Sequence, residues 1–233
     1  MACSLRGLAV STEVEAASAR GLIGWVNKLG YRAIALDSTH PELRARSLDR
    51  SARRDLAASL KRSQLCLSGV DVFVPAKHFA DRENADRATA AVLGAIELAR
   101  ELGSLGAGSE AVVCFELPDE PVEGVESEIV ADAERFGVSV AVVRRDVKGL
   151  GRAVDIDALH DAGVEPAERI AEGCAQIRWG GPRPDRRVEL MPIAGAFAMS
   201  GGGSCVVDLS HGRDVRATGE RALEAWSKLA MFG

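Results

Sequence analysis

Short apolar runs and longer amphipathic stretches alternate along the whole chain. The first run is "LAVS" (8–11), and helical spacing follows from Glu13 to Leu29, ending at Gly30, a residue suited to a helix C-cap. "AIALD" (33–37) precedes a predicted helix over 49–62, with Leu56 and Leu60 on one face. "LCLSGVDVFVP" (65–75) precedes "NADRATAAVLGAIELARELG" (84–103). There Ala88, Val92, Ala95, Ile96 and Ala99 recur at helical spacing and define one buried face, and Gly103 ends the pattern. "AVVCFE" (111–116), a helix over about 124–136 and "VSVAVV" (138–143) continue the alternation.

Beyond this point the units shorten. "RAVDI" (152–156), a helical stretch to Gly173, "AQIRW" (175–179), a poorly periodic piece near 188–198 and "CVVDL" (205–209) follow in turn. A last amphipathic helix runs from about Val215 to Met231, with Leu223, Trp226 and Ala230 facing inward. The chain therefore holds eight strand candidates, each followed by a helix or its remnant, with helices expected to be missing or short after strands five and seven. Repeated strand–helix units force parallel strands, and eight of them close into a (β/α)8 TIM barrel. The alternative, an open doubly wound sheet, lacks a GxGxxG turn after the first strand. "SLGAGS" (104–109) and "SGGGS" (200–204) are short enough to be connections within one domain spanning 1–233.

Composition narrows the class. Apolar residues make up 47% of the 233 positions and aromatics only 4%, so the core must be built from Ala, Val, Leu and Ile. That suits strands covered on both faces. A net charge of −5, with Arg and acids interspersed, gives no reason to expect nucleic acid as a partner. Cys3, Cys66, Cys114, Cys174 and Cys205 form no CxxC pair; four lie in or beside apolar runs, so they read as small buried residues in a reducing compartment. No run approaches the roughly 18 apolar residues of a membrane span, so a cytoplasmic protein is expected.

Candidate chemistry gathers where strands end. In a barrel the C-terminal ends of the strands line the mouth, and a charge there is costly to bury without a purpose. Asp37, with His40 in "DSTH", and Glu116 in "CFELPD" are the candidate catalytic carboxylates, each with the alternative of capping a following loop or helix. "AVDIDALHDAGVEP" (153–166) crowds Asp155, Asp157, His160, Asp161 and Glu165 together. Its acids read either as helix caps, with Pro166 opening the next helix, or as one corner of a metal site. The loops after strands seven and eight, "RWGGPRPDRR" and "SHGRD", offer Arg178, Arg183, Arg186, Arg187, His211 and Arg213 to a phosphate or other substrate anion. Trp179 either stacks on a sugar ring or fills space. Trp25 and Trp226 belong in the helix layer.

"GYRAIALDSTHPELRARSLDRSARRDLAASLKRSQLCLSGVDVF" and "FADRENADRATAAVLGAIELARELGS" resemble the second and third units of the xylose isomerase-like barrel family. That family includes sugar phosphate isomerases and epimerases and the endonuclease IV type of repair enzyme. A weaker likeness runs from "AVDIDALHDAGVEP" to "CVVDLS". The resemblance implies proton transfer on a carbohydrate or sugar phosphate, assisted by a divalent Mn, Mg, Co or Zn ion. In the family that ion is held by a Glu at strand five, an Asp at strand six, a His at strand seven and a Glu at strand eight.

Here the strand-five place holds Val143 or Arg144, and no His ends strand seven. Asp155 or Asp157 could serve at strand six, and Asp208 could stand in at strand eight. The metal is therefore optional. The alternative is a barrel that binds a carbohydrate-like ligand or a protein partner without metal or catalysis. Repair chemistry is disfavoured, since such enzymes use many His ligands and the chain has four His in all. A homo-oligomer is compatible with the sequence.

Overall fold

The strands form where the apolar runs lie and close on themselves in chain order, all parallel, as one barrel. A computed structural model describes residues 9–11, 18–108, 110–181, 189–200, 203–209 and 214–230. The strands are β1 (Ala9–Ser11), β2 (Ala33–Asp37), β3 (Cys66–Val72), β4 (Val112–Glu116), β5 (Ser139–Val143), β6 (Gly151–Asp155), β7 (Gln176–Trp179) and β8 (Ser204–Asp208). β8 pairs with β1 in parallel, which removes both sheet edges.

The helices are α1 (Ala19–Lys28), α2 (Arg50–Arg62), α3 (Lys77–Ala80), α4 (Ala85–Ser104), α5 (Val125–Phe136), α6 (Ile156–Asp161), α7 (Pro166–Ala171), α8 (Leu190–Met199) and α9 (Val215–Ala230). Their starts follow the sequence. Ser18, Asp49 and Asp155 accept from the free N–H groups of α1, α2 and α6, and Pro166 opens α7. α4 buries Ala88, Val92, Ala95, Ile96 and Ala99 as its periodicity predicts. Gly30, at φ +92°, follows α1 in a backbone conformation that suits glycine. No helix among the described residues is long and apolar enough to cross a membrane.

Two expectations need adjustment. The first helix begins at Ala19, and the early part of its predicted span lies outside the described residues. The chain passes from β5 to β6 through residues 144–150 with no helix, as expected, but after β7 a full helix, α8, is present. Its period was hard to read because Leu190, Met191, Ile193, Ala194, Ala196 and Phe197 leave little polar contrast around it.

The core has two parts. Outward-facing strand residues and the helices form the large apolar cluster, which includes Ile34, Leu36, Val70, Val113, Ile177 and Val207. Inside the barrel the side chains are small: Ala33, Ala35 and Val206 form one group, and Val112, Cys114, Ala141 and Ala153 another. Small interior residues leave room for long polar side chains to lie across the axis.

One irregularity sets which residues face that interior. β2 and β3 pair as Ala33↔Cys66 and Ile34↔Leu67, and then as Ala35↔Gly69, so Ser68 is an extra residue in β3. The Ser68 hydroxyl donates to the Ile34 carbonyl across 3.2 Å. Beyond this bulge, Gly69 and Asp71 share the inward direction of Ala35 and Asp37.

Candidate functional site

The barrel mouth is organised around a buried guanidinium. β7 alternates Gln176, Ile177, Arg178 and Trp179; Gln176 and Arg178 reach inward, while Ile177 and Trp179 join the outer apolar cluster. Arg178 Nη1 lies 2.6 Å from Asp71 Oδ1 and 3.0 Å from Gln176 Oε1. Its Nη2 lies 2.6 Å from Asp208 Oδ2. Strands β3, β7 and β8 are thereby tied together across the mouth by one planar fork, the geometry that suits Arg rather than Lys. The guanidinium also approaches the Phe73 ring, at 6.0 Å from its centroid.

Glycine makes this arrangement possible. A Cβ at Gly69 would lie 2.9 Å from the Val112 carbonyl oxygen and 3.3 Å from Gln176 Nε2. Without it, the buried Gln176 lies across the interior and presents Oε1 to Arg178. Gln176 Nε2 has no hydrogen-bond partner among the described residues.

The electrostatics follow from burial. Burial opposes the charge on Arg178, but Asp71 and Asp208 outweigh it and hold the guanidinium protonated, well above its usual range. Cys114 lies in the same layer beside Asp71, and burial pushes its thiol up to about 12, so it stays neutral. Asp37 ends β2 next to Asp71 and is also buried. Desolvation raises its carboxyl above the usual range, and the neighbouring Asp71 charge adds to this. Hydrogen bonds from the Thr39 N–H (2.7 Å) and hydroxyl (2.5 Å) to Oδ1 work in the opposite direction. Asp37 is thus the mouth carboxyl held toward its protonated form.

Other residues named from the sequence have different places. Glu116 pairs with Arg144 across 2.9 Å, both partly exposed, and Arg144 follows β5 in the left-handed region at φ 68°. Val143, in register with Glu116 and Ala153, is the inward residue at the C-terminal end of β5. Asp155 accepts from the Ala158 N–H at 3.0 Å and caps α6, so its carboxylate is committed to the helix start. Asp157 Oδ2 accepts from the Gly180 N–H at 2.6 Å and anchors the chain leaving β7. Neither acid joins Asp208 in a metal-holding group.

His40 Nδ1 accepts from the Glu42 N–H at 3.3 Å and shapes the loop after β2. Trp179 is buried in the outer apolar cluster on the face of β7 opposite Arg178, so it fills space and offers no stacking surface at the mouth. Arg178, expected to meet a substrate anion from the loop after strand seven, lies inside the barrel instead. Arg183, Arg186, Arg187, His211 and Arg213 lie outside the described residues. Sequence reasoning missed Asp71 and Gln176. The signal for Asp71 was present, as a lone charge within the apolar run "LSGVDVFV" whose burial demands a partner.

No family model matches the chain, and no curated protein matches it. Solved structures do. A D-tagatose 3-epimerase-like protein superposes with a TM-score of 0.68 at 15% identity, over 97% of this chain and 98% of that one. The likeness is one of fold, a (β/α)8 barrel closed over the whole chain. A xylose isomerase domain protein from Planctomyces limnophilus matches with a TM-score of 0.63 at 14% identity, over 97% of this chain and 95% of the other. A probable 3-DHS dehydratase, AsbF, from Bacillus anthracis matches with a TM-score of 0.64 at 9% identity, over 94% and 98%.

A divalent ion at the mouth of such a barrel needs several ligands from adjacent strand ends. The described residues named for that role are engaged elsewhere. Val143 faces inward from β5, Asp155 caps a helix, and β7 supplies a permanent cation already bound to Asp208. Among the described residues, no group of three or more His, Cys, Asp or Glu side chains is arranged to hold a metal ion.

Proposed function

We propose that this chain is a metal-independent barrel that binds a small, carbohydrate-like molecule at the C-terminal mouth. The single observation that carries this reading is the Arg178 guanidinium bridging Asp71 and Asp208. A guanidinium in that place supplies fixed positive charge to the floor of the mouth, occupies the carboxylates a metal would need, and cannot be lost to a chelator. The epimerase-like and isomerase-domain neighbours support a polyhydroxylated small molecule as the ligand class.

The test is a pair of titrations. Thermal unfolding with Mn²⁺, Mg²⁺, Co²⁺ and Zn²⁺ should give no saturable stabilisation, where a real site would add a few kcal/mol at saturation. A panel of neutral sugars and sugar acids, followed by calorimetry, should yield at least one ligand whose binding is unchanged by EDTA. Stoichiometric metal in chelator-free protein, together with EDTA-sensitive binding, would overturn the reading.

One observation favours catalysis as a second reading. Asp37, a buried carboxyl beside Asp71 that burial holds toward its protonated form, has the character of a group that gives and takes a proton. In that case a bound sugar exchanges a carbon-bound hydrogen with deuterated solvent without added metal, and Asp37→Asn abolishes the exchange while leaving binding intact. Ligand binding with no exchange in wild-type protein would leave only the binding function.

A further inference from the structure

A groove of about 630 Å³ opens beside the mouth, between the loops after β2 and β3 and the face of α4. Phe73, the ring that Arg178 approaches, lines it, so one side chain lies between the groove and the buried guanidinium. Its floor is small and apolar. Ala88, Ala91 and Gly94 of α4 recur at helical spacing along it, and a Cβ at Gly94 would come within 3.1 Å of the Ala45 Cβ. Its rim is basic: Arg44, Arg46 and Arg87 line it together with His78.

Among the described residues lining this groove, the cations outnumber the carboxylates. Arg53, which also lines the groove, is spent on Glu97 and Glu101 at 3.1 and 2.6 Å, and Glu97 is the groove's carboxylate. Arg44 uses Nε on the Thr39 carbonyl, and Arg87 uses Nη2 on the Asn84 side-chain oxygen. Among the described residues, no carboxylate pairs with Arg44, Arg46 or Arg87. Three such cations around one cleft stand out on a chain whose net charge is −5.

We infer that this groove is an anion subsite that takes the phosphate of a phosphate monoester whose remainder reaches the mouth. Guanidinium groups match phosphate oxygens in pairs, and three of them plus an imidazole exceed what one carboxylate would require. The apolar floor holds the carbon chain between the two ends. The inference rests on the reading of the mouth as a ligand site and adds a charged end to that ligand. It places the anion on the β2–β3 side, away from the loops after β7 and β8.

The experiment uses inorganic phosphate as the probe. Calorimetric titration at constant ionic strength should show saturable, single-site binding to the wild-type chain. Arg46→Gln combined with Arg87→Gln should weaken it roughly tenfold or more, as expected for lost charge-assisted bonds. Both residues are exposed, and circular dichroism checks that the fold is kept. Arg135→Gln, on the exposed face of α5, should leave phosphate binding unchanged.

A second arm compares a neutral hexose with its terminal phosphate ester. The ester should bind more tightly, and the double variant should erase that advantage without changing hexose binding. Non-saturable phosphate binding, or equal loss in the Arg135→Gln control, would overturn the subsite. Phosphate binding that depends on Arg46 and Arg87, without any hexose binding, would retain the subsite and reject the reading of the mouth.

Discussion

Two arginine-centred networks of nearly identical composition occupy opposite surroundings in this molecule. On the outside, Arg152 of β6 reaches Asp146 at 2.6 Å and Glu172 at 2.8 Å, and Arg169 joins the same two acids. The side chains of Asp146 and Glu172 are 54% and 53% exposed. In the mouth, Arg178 meets Asp71 and Asp208 at matching distances, yet Arg178 and Asp71 are only 7% and 1% exposed. Contact geometry does not separate them. Water does: outside it solvates each charge before and after pairing, whereas inside each charge depends on its partner. The outer network decorates a surface, and the inner one sets the electrostatic character of the site.

The sharpest way to break this comparison is Arg178→Met, which removes the cation from between the buried Asp71 and the partly exposed Asp208. It should lower unfolding stability by about 3–5 kcal/mol, read from urea denaturation. Arg178→Lys should recover only part of that, because an ammonium cannot fork to both acids. Adding Asp71→Leu and Asp208→Leu to Arg178→Met should restore most of the loss, since replacing a whole buried ionic cluster by apolar residues is often neutral or stabilising. Failure of the triple variant to recover would mean that the cluster also positions something else.

The next effect is smaller and depends on pH. Because the Asp37 carboxyl is raised in the folded protein, its favourable contribution is fully present below the unfolded value. It is lost as pH rises through the folded value, upward from about pH 4. Asp37→Asn should flatten the stability profile in that window while Asn still accepts from Thr39. An unchanged slope would remove Asp37 from the group of perturbed residues. The smallest effect belongs to the outer network. Arg152→Met should cost no more than about 1 kcal/mol, and less at high salt, where exposed charges are screened.

The sequence revealed the fold more fully than the site, for physical reasons. Strand and helix periods are local, so "AIALD" and the α4 stripe could be recognised from a few neighbours each. Asp37 was legible for the same reason, as an acid that ends an apolar run. The pairing of Arg178 with Asp71 joins residues 107 positions apart, and only closure of the barrel brings them together. Asp155 and Asp157 offered the right chemistry for a metal but serve a helix start and a backbone N–H, which spacing alone could not distinguish. α8 was obscured because an element apolar around most of its surface carries little periodic contrast.

Ser68 gives the whole assembly its handle. Side chains on a strand alternate, so the extra residue inverts the facing of everything beyond it in β3. Deleting Ser68 would swing Asp71 out among the helices and turn Val70 toward the axis, stranding Arg178 with one acid. The electrostatic identity of the mouth is therefore stored in the parity of a single strand, as an odd rather than an even count.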